Sequence, residues 1–359
     1  MEERNRQIQH GSVQGKKTCV TLTTISVPKT IECEEVVLSL SVHPNEDVVA
    51  CGQIDGNVLL YSFSLEENKK TLTLSHHKKS CRAVVFSEDG QSLCTVSKDK
   101  SIQVVDVNTG TVKFRFKKAH ESPIYSLLVI SENILATGDD DGQLKVWDLR
   151  KDKAIMEMKE SEDFISDMVI DNDKKILLAT SGDGTLSAFN IRRRRFDLQS
   201  ENMNSEMLSM SVCKRGRKVV CGTGDGIMNI FNWSEWGNIS DRFPGHPLSI
   251  DCMVPITEDV LCTGSLDGII RAVHVLPNRF LGVIGEHEDN PIESLAVSND
   301  GSLLLSSSHD QKIKFWNVSD IDQIEVDPRE KVKRGKTKHK KLNTTGAVQD
   351  DFFANLVGD

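Results

Sequence analysis

Short apolar runs separated by turn residues recur along most of the chain. In one such unit, the apolar run 134–136 leads through Asp141 and Gly142 into a second run that ends in Trp147 and Asp148. Asp-Gly between two strand-like runs is a strong β-hairpin signal and predicts a type I′ turn, in which both central residues have positive φ. The pattern therefore predicts pairs of antiparallel strands joined by tight turns.

The same turn returns at a nearly constant period of 42 to 44 residues. The turn aspartates are Asp55, Asp99, Asp141, Asp183, Asp225, Asp267 and Asp310. Self-similarity at this period is typical of a β-propeller, in which each repeat forms one four-stranded blade. Seven turns predict an all-β fold with seven blades.

The run before each turn is apolar at consecutive positions, as in 176–179, which predicts burial of both strand faces between neighbouring blades. The last repeat ends after its third strand, so we expect the segment 18–32 to supply the missing outer strand and to close the ring. Pro28 suits such an edge position. The predicted organisation is a disordered N-terminus (1–17), the propeller (18–323) and a C-terminal tail (324–359) that is also disordered.

Polar residues at fixed positions in the blades resemble the WD-repeat family, whose blades carry a hydrogen-bonded tetrad of His, Ser or Thr, Asp and Trp. The full tetrads are His120, Thr137, Asp141, Trp147 in blade three and His287, Ser306, Asp310, Trp316 in blade seven. Blades two and six keep His77, Thr95, Asp99 and His246, Thr263, Asp267, but have Val in place of Trp. A buried Asp needs hydrogen-bond donors, so Asp141→Ala is expected to cost about 1–3 kcal/mol of stability.

Charge is distributed unevenly along the chain. The formal net charge is −9, but residues 329–341 contain eight Lys or Arg and one Glu, a local +7 that leaves −16 on the rest. An acidic body favours polyanion contact through the tail only. Nine scattered cysteines without a C-x-x-C pair predict reduced, buried thiols, and no signal peptide or membrane span is expected.

The tail contains two segments with candidate functions. The basic residues predict a nuclear or nucleolar localisation signal or a weak RNA-contacting arm; they are Lys331, Lys333, Arg334, Lys336, Lys338, Lys340 and Lys341. The acidic-aromatic segment that follows is either an incidental end that packs on the propeller or a docking peptide; its candidate contact residues are Asp351, Phe352, Phe353 and Leu356.

Nothing in the sequence indicates catalysis, a metal site or a cofactor. The histidines and aspartates recur at fixed positions of the repeat, which favours a structural role over acid–base chemistry, and no nucleophile or phosphate-loop signature is present. Two other features remain open. The run 192–195 is either a basic knuckle for RNA or acidic peptide or simply a solvated surface, and Trp236 either anchors a partner or packs on its own blade.

Trp147, Asp148 and Arg150 resemble the W-D-x-R box by which some WD-repeat proteins dock on the adaptor of cullin-RING ubiquitin ligases. That resemblance implies Arg150 as the contact residue and a substrate-receptor function. Trp-Asp is also ordinary blade sequence, and Asp139 fits the upstream part of the box poorly. This function is therefore the alternative hypothesis.

Several loop and surface stretches resemble the WD repeat-containing protein 55 family of nucleolar proteins. They are 81–90, 95–100, 135–140, 189–196, 249–255, 276–279 and 350–354. The resemblance implies a non-catalytic protein-interaction scaffold in the nucleus and nucleolus, with the cytoplasm as a second location. It implies support of ribosome biogenesis, rRNA production and processing and, through these, cell-cycle progression, with nucleolar ribosome-assembly proteins as partners.

Overall fold

In the computed structural model, residues 26–151 and 153–321 are described and form seven four-stranded antiparallel sheets. The seven-bladed all-β propeller is thus confirmed. The innermost strands are β2 (Val37–Val42), β6 (Cys81–Phe86), β10 (Ile124–Ser131), β14 (Ile165–Ile170), β18 (Met207–Cys213), β22 (Ile250–Pro255) and β26 (Ile292–Val297). Each contacts the innermost strand of both neighbouring blades, so together they surround a central channel.

The second strands have the apolar runs found in the sequence. They are β3 (Val48–Gln53), β7 (Ser92–Ser97), β11 (Ile134–Asp139), β15 (Ile176–Ser181), β19 (Lys218–Thr223), β23 (Val260–Ser265) and β27 (Leu303–Ser308). Nearly every position in them is buried, because blades pack on both faces. Burying a side chain such as Leu177 contributes roughly 1.5–3 kcal/mol.

The third strands follow the Asp turns. They are β4 (Val58–Ser62), β8 (Ile102–Asp106), β12 (Gln143–Asp148), β16 (Leu186–Asn190), β20 (Ile227–Asn232), β24 (Ile269–His274) and β28 (Lys312–Asn317). The outer strands are β5 (Lys69–Leu74), β9 (Val112–Phe116), β13 (Ala154–Lys159), β17 (Arg195–Gln199), β21 (Asp241–Pro244), β25 (Arg279–Glu286) and, for blade seven, β1 (Ile31–Glu32). Charged side chains on these outer edges discourage pairing with another chain.

The ring closes between the two ends of the propeller. Ile31 pairs with Ile313 in the third strand of blade seven, and the Cys33 amide donates to the Gln311 carbonyl at 2.8 Å. The N-terminal segment therefore supplies the outer strand, as expected, but Pro28 precedes it. The first part of the expected segment, 18–25, the termini predicted to be disordered and the tail beyond 321 lie outside the described residues.

The turns differ from the predicted type I′ geometry. In blade three the Gly142 amide donates to the Asp139 carbonyl, and only Gly142 has positive φ, at 80°. The same arrangement occurs in all seven blades, with Lys100 and Gln311 replacing Gly in blades two and seven at φ 70° and 61°. The type I′ prediction was wrong. The loops are three residues long, a type I turn followed by one left-handed residue.

Eight of the nine cysteines lie in the described region, and all eight are free thiols. Seven of these are buried, and Cys252 is partly buried. Burial raises the pKa of Cys94 to about 12 and that of Cys213 to about 11. The thiols of Cys94 and Cys213 are therefore protonated at neutral pH and pack as small apolar side chains.

Candidate interaction surface at the mouth of the central channel

A buried hydrogen-bonded chain holds blade three together at one end of the ring. Trp147 Nε1 donates to Thr137 Oγ1 at 2.9 Å, and Thr137 Oγ1 lies 2.7 Å from His120 Nε2. Because the Thr137 hydroxyl accepts a hydrogen bond from Trp147, it donates its own proton to His120 Nε2. The ring proton of His120 is therefore on Nδ1, which donates to the Asp139 carboxylate at 2.8 Å. Burial raises the pKa of Asp139, but the bond from His120 and backbone donors hold it below its usual value overall.

The prediction that Asp141 completes this tetrad was wrong. Asp141 is exposed on the turn, where its carboxylate accepts from the Ser122 hydroxyl. Asp139 is the last residue of the second strand and only 1% exposed. Three consecutive aspartates occupy 139–141, and the inward-facing one at the strand end meets the histidine, because the turn carries the next two away from the core.

Blade seven contains the tetrad with the residues predicted. His287 Nδ1 donates to Asp310 at 2.8 Å, its Nε2 lies 2.7 Å from Ser306 Oγ, and Trp316 Nε1 donates to the same oxygen at 2.8 Å. Burial lowers the pKa of His287, opposed by Asp310.

Blades two and six contain only parts of the tetrad. His77 lies 2.8 Å from Thr95 Oγ1 and 3.4 Å from Asp99. In blade six His246 lies 2.9 Å from Thr263 Oγ1, but the Asp267 carboxylate accepts two bonds from Arg271 instead, at 3.1 and 2.6 Å. The pairing of Asp267 with His246 was therefore wrong, since a guanidinium four residues along captures the carboxylate. Burial, with Arg271, lowers the pKa of His246 to about 4, so this imidazole is neutral at pH 7.

The remaining turn aspartates act locally. Asp55 accepts from the Asn57 amide at 2.9 Å, and Asp183 accepts from the Glu162 and Thr185 amides at 2.8 and 2.9 Å. Asp225 lies exposed at its turn. These carboxylates order the turns. Because they lie in separate blades, no two of them come together as a catalytic pair.

Every innermost strand has a β-bulge at its second residue, at the end of the channel where these turns lie. A bulge leaves one residue out of the ladder and changes the direction of its side chain. The seven bulged residues, here called the channel ring, are Leu38, Arg82, Tyr125, Ser166, Leu208, Asp251 and Glu293. They line one end of a central cavity of about 370 Å³.

The residue after each bulge links its blade to the next. Ser126 Oγ donates to the Ile165 carbonyl at 2.8 Å, and Ser209 Oγ donates to the Ile250 carbonyl at 2.8 Å. Cys252 Sγ donates to the Ile292 carbonyl at 3.7 Å, whereas Ser39, Asp167 and Ser294 each accept a hydrogen bond from a backbone amide of the next blade. Ala83 has no side chain able to do so, and at that junction the neighbouring Arg82 Nη1 donates to the Ile124 carbonyl at 3.5 Å.

The channel mouth is negatively charged. Burial, with Glu293 and Asp267 nearby, raises the pKa of Asp251 to about 6, and Asp251 Oδ2 is a buried oxygen without a hydrogen-bond partner among the described residues. Burial raises the pKa of Glu293 also, although His309 Nε2 lies 2.6 Å from it and opposes the shift. Burial raises the pKa of Asp167 to about 6 as well. At pH 7 the carboxyl groups of Asp251 and Asp167 are therefore largely ionised although they are poorly solvated.

The single cation of the channel ring is already engaged. Arg82 Nη1 donates to Asp140 at 2.5 Å, and its guanidinium lies 5.2 Å from the centroid of the Tyr125 ring. Tyr125 is 38% exposed and packs on Phe164, with centroids 4.8 Å apart. Three carboxylates beside an exposed aromatic ring favour a basic side chain as ligand, through ion pairing and cation–π contact.

Sequence analysis missed this surface. The channel-ring residues differ in type and are separated by about 40 positions, so the repeat pattern hides them. The signal present in the sequence was their shared position, directly after the first apolar residue of each innermost strand. That position predicts a side chain in the channel mouth only once the β-bulge is known.

The W-D-x-R residues have unequal exposure. Trp147 is buried in its tetrad, and Asp148 is 4% exposed. Arg150 donates to the two Asp148 oxygens at 2.8 and 2.9 Å, and its own side chain is 65% exposed. Arg150 holds the pKa of Asp148 down at about 2. Only Arg150 is therefore presented to a partner. The tail residues 331–341 and the peptide Asp351 to Leu356 lie outside the described residues.

Within residues 26–151 and 153–321, no group of three or more His, Cys, Asp or Glu side chains is placed to hold a metal ion. No helix in that same part of the chain is long and apolar enough to cross a membrane. The histidines predicted to be structural are bound into the tetrads just described.

Seven four-stranded blades, of which blades three and seven contain a full His–Ser/Thr–Asp–Trp tetrad, define a WD-repeat β-propeller, a class that is generally non-catalytic. Within that class, the sequence profile of the family described as WDR55 matches residues 28–321. WD repeat-containing protein 55 of Danio rerio is 52% identical over 92% of this chain and 86% of its own length; the Bos taurus protein is 48% identical over 92% and 87%. The Homo sapiens protein is 47% identical over 92% and 86%. The chain belongs to the WD repeat-containing protein 55 family, and its homologues and propeller suggest a scaffold.

Proposed function

We propose that this protein is a non-catalytic scaffold of the nucleolus, where it binds proteins of the ribosome-assembly machinery and supports rRNA production and cell-cycle progression. Family membership and the propeller support the scaffold. The observation that carries the proposal further is the negatively charged channel mouth, where a buried oxygen of Asp251, beside Glu293, has no hydrogen-bond partner in the part of the chain that the structure describes.

The chemistry of the mouth defines the kind of partner. An Arg or Lys side chain entering the cavity would neutralise carboxylates whose ionisation the protein itself disfavours. Because those charges are partly desolvated, an ion pair there is worth more than one on the open surface. Proteins that bind RNA are rich in such residues, so a basic peptide segment from a ribosome-assembly protein is the proposed ligand of the propeller.

The basic tail has a separate role in this proposal. Its local charge of +7 directs the protein to the nucleus and nucleolus and adds a weak RNA contact. Deleting 329–341 should abolish nuclear accumulation in cells. Unaltered accumulation would contradict the role assigned to this segment.

The test of the scaffold function is affinity capture of the full-length protein from cells, with and without ribonuclease, followed by identification of the captured proteins. The double variant Asp251→Asn with Glu293→Gln should no longer capture those ribosome-assembly proteins whose binding to the wild-type protein survives ribonuclease. The matched control is Glu66→Gln with Glu67→Gln, two exposed carboxylates in the loop after β4. Equal capture by both double variants would refute a role for the channel mouth, and absence of ribosome-assembly proteins from the wild-type sample would refute the scaffold function.

A second candidate function is that of a substrate receptor for a cullin-RING ubiquitin ligase. The observation that favours it is the exposed Arg150 side chain, held in place by two bonds to Asp148. Arg150→Glu should abolish capture of the ligase adaptor and leave nucleolar staining normal if this function operates. Lys153→Glu is the neighbouring control, and the same adaptor signal in both variants would exclude this docking mode.

A further inference from the structure

The two ends of blades four and five carry opposite charge. At the end that contains the channel mouth, their loops hold seven carboxylates and no Lys or Arg: 160–164, 182–185, 200–206 and 224–226. At the opposite end, their loops hold eight Lys or Arg and three carboxylates: 171–175, 191–194, 214–217 and 233–240. A positive surface therefore exists on a propeller whose net charge is negative.

The first part of this surface is the turn between β16 and β17, here called the arginine knuckle, Arg192 to Arg194. Its backbone is ordered by the Arg194 amide, which donates to the Ile191 carbonyl, and by the Arg193 amide, which donates to Asn190 Oδ1 at 2.9 Å. Arg192 Nη2 donates to the Asp173 carbonyl at 3.2 Å.

All three knuckle side chains are exposed, and none forms an ion pair with a carboxylate in the described part of the chain. The next residue, Arg195, differs, since it pairs with Asp197 at 2.7 Å. Arg193 and Arg194 are therefore free to bind an anion without first breaking an internal salt bridge.

The second part is a surface pocket of about 640 Å³ on blade five, here called the Trp233 pocket. Within the described residues, two of its cations have no carboxylate partner: Arg217 Nε donates to the Lys214 carbonyl at 3.2 Å, and Lys218 donates to Asn232 and to Ser240 Oγ. Lys214 pairs with Asp259 at 2.8 Å and is neutralised.

The indole in this pocket is held in place from behind. Trp233 packs edge-to-face on Trp236, with centroids 5.7 Å apart and an angle of 88° between the rings. Trp236 is only 7% exposed and belongs to a core cluster that includes Leu178 of blade four. It thus packs inside the protein and does not anchor a partner, whereas Trp233 is partly exposed and lines the pocket.

We propose that the arginine knuckle and the Trp233 pocket form a binding surface for single-stranded RNA. Guanidinium groups bind phosphate through paired N–H donors, and an aromatic ring beside them stacks on an unpaired base. An acidic peptide would satisfy the cations, but it would leave the indole without a matching planar group. Only the source of the RNA rests on the proposed nucleolar function; the binding surface itself does not.

The test is fluorescence anisotropy of a labelled twelve-nucleotide oligouridine with the full-length protein. Arg193→Glu with Arg194→Glu should weaken binding at least tenfold. In single-stranded nucleic acid, each phosphate that a cation neutralises contributes about 0.7 to the salt slope, so the slope should fall by about 1.4 in this variant. Trp233→Leu, which keeps an apolar side chain in the core cluster, should weaken binding at least fivefold.

The control is Lys78→Glu with Lys79→Glu, which makes the same charge change on exposed residues at the opposite end of blade two. Its affinity should change less than twofold. The comparison is repeated in a full-length chain whose basic residues at 329–341 are glutamine, so that the tail does not mask the effect. Thermal melting of each variant confirms folding.

Equal losses in the two charge-reversal variants, or no loss in either, would overturn the proposal. Displacement of the RNA by polyglutamate at the same concentration as by unlabelled oligouridine would assign the surface to an acidic protein instead. Because these measurements use purified components, they can fail while the capture and localisation experiments succeed, and the reverse also holds.

Discussion

Removing the Asp139 carboxylate tests the corrected tetrad of blade three. The Asp139 carboxylate accepts three hydrogen bonds: from His120 Nδ1 at 2.8 Å, from the Asp141 amide at 3.1 Å and from the Gln143 amide at 2.9 Å. In Asp139→Ala all three donors lose their acceptor. In Asp141→Ala the protein loses an exposed carboxylate and the hydrogen bond that it accepts from the Ser122 hydroxyl.

The magnitudes of the two changes should differ several-fold. The His120 ring is fully buried, and a buried donor left without an acceptor costs about 1–3 kcal/mol. Water can reach the two turn amides after the carboxylate is removed, so they add less. We expect Asp139→Ala to cost about 2–4 kcal/mol and Asp141→Ala no more than about 0.5 kcal/mol, the usual range for an exposed site.

The assay is thermal unfolding at pH 7, followed by far-ultraviolet circular dichroism. At about 2 °C per kcal/mol for a chain of this size, Asp139→Ala should lower the Tm by on the order of 5 °C and Asp141→Ala by about 1 °C. The pKa of Asp139 is lower in the folded than in the unfolded chain, so its contribution is complete at pH 7 and is lost as the pH falls below about 4. Equal shifts in the two variants, or a larger one for Asp141→Ala, would refute the assignment.

Three further predictions concern the turns, the junctions and the channel mouth. Gln311→Gly should raise the Tm by about 2 °C, since a non-glycine residue at φ 61° costs about 1 kcal/mol; an unchanged or lower Tm would contradict this. Ser209→Ala should cost about 1 kcal/mol in urea unfolding, because it removes the buried bond to the Ile250 carbonyl; a neutral result would mean that this junction bond contributes nothing. Binding of an arginine-rich peptide, followed by calorimetry, should tighten as the pH rises from 5 to 7.5, because Asp167 and Asp251, with pKa values of about 6, ionise over that range; affinity that is flat or falls with pH would exclude them as contacts.

Much of the fold could be predicted because its determinants are local. Turn residues and apolar strand runs repeat at a fixed spacing, and each records a hydrogen-bonding or burial requirement within one blade. The blade number and the closing role of the N-terminal segment followed from counting such units. Turn geometry was less accessible, since a type I turn with one left-handed residue also accepts Asp-Gly, and only the φ values distinguish it from type I′.

The functional surfaces depend on distances that spacing does not contain. From sequence spacing, Asp139 and Asp141 are equally plausible partners of His120. The second strand ends at Asp139, and the side chain at that strand end is the one that faces His120. Arg193 and Trp233 are 40 residues apart and lie at the same end of adjacent blades only because both follow a third strand.

The sequence by itself determined the repeat, the number of blades, the turn positions and the family of this protein, since each depends on residue type at short range. The tertiary structure alone decided which carboxylate meets each histidine, that bulges direct seven side chains into the channel mouth, and that an acidic propeller has a basic surface at one end of blades four and five. These features arise when ring closure brings together side chains from different blades, and their charges and burial then depend on neighbours about 40 residues away in the chain.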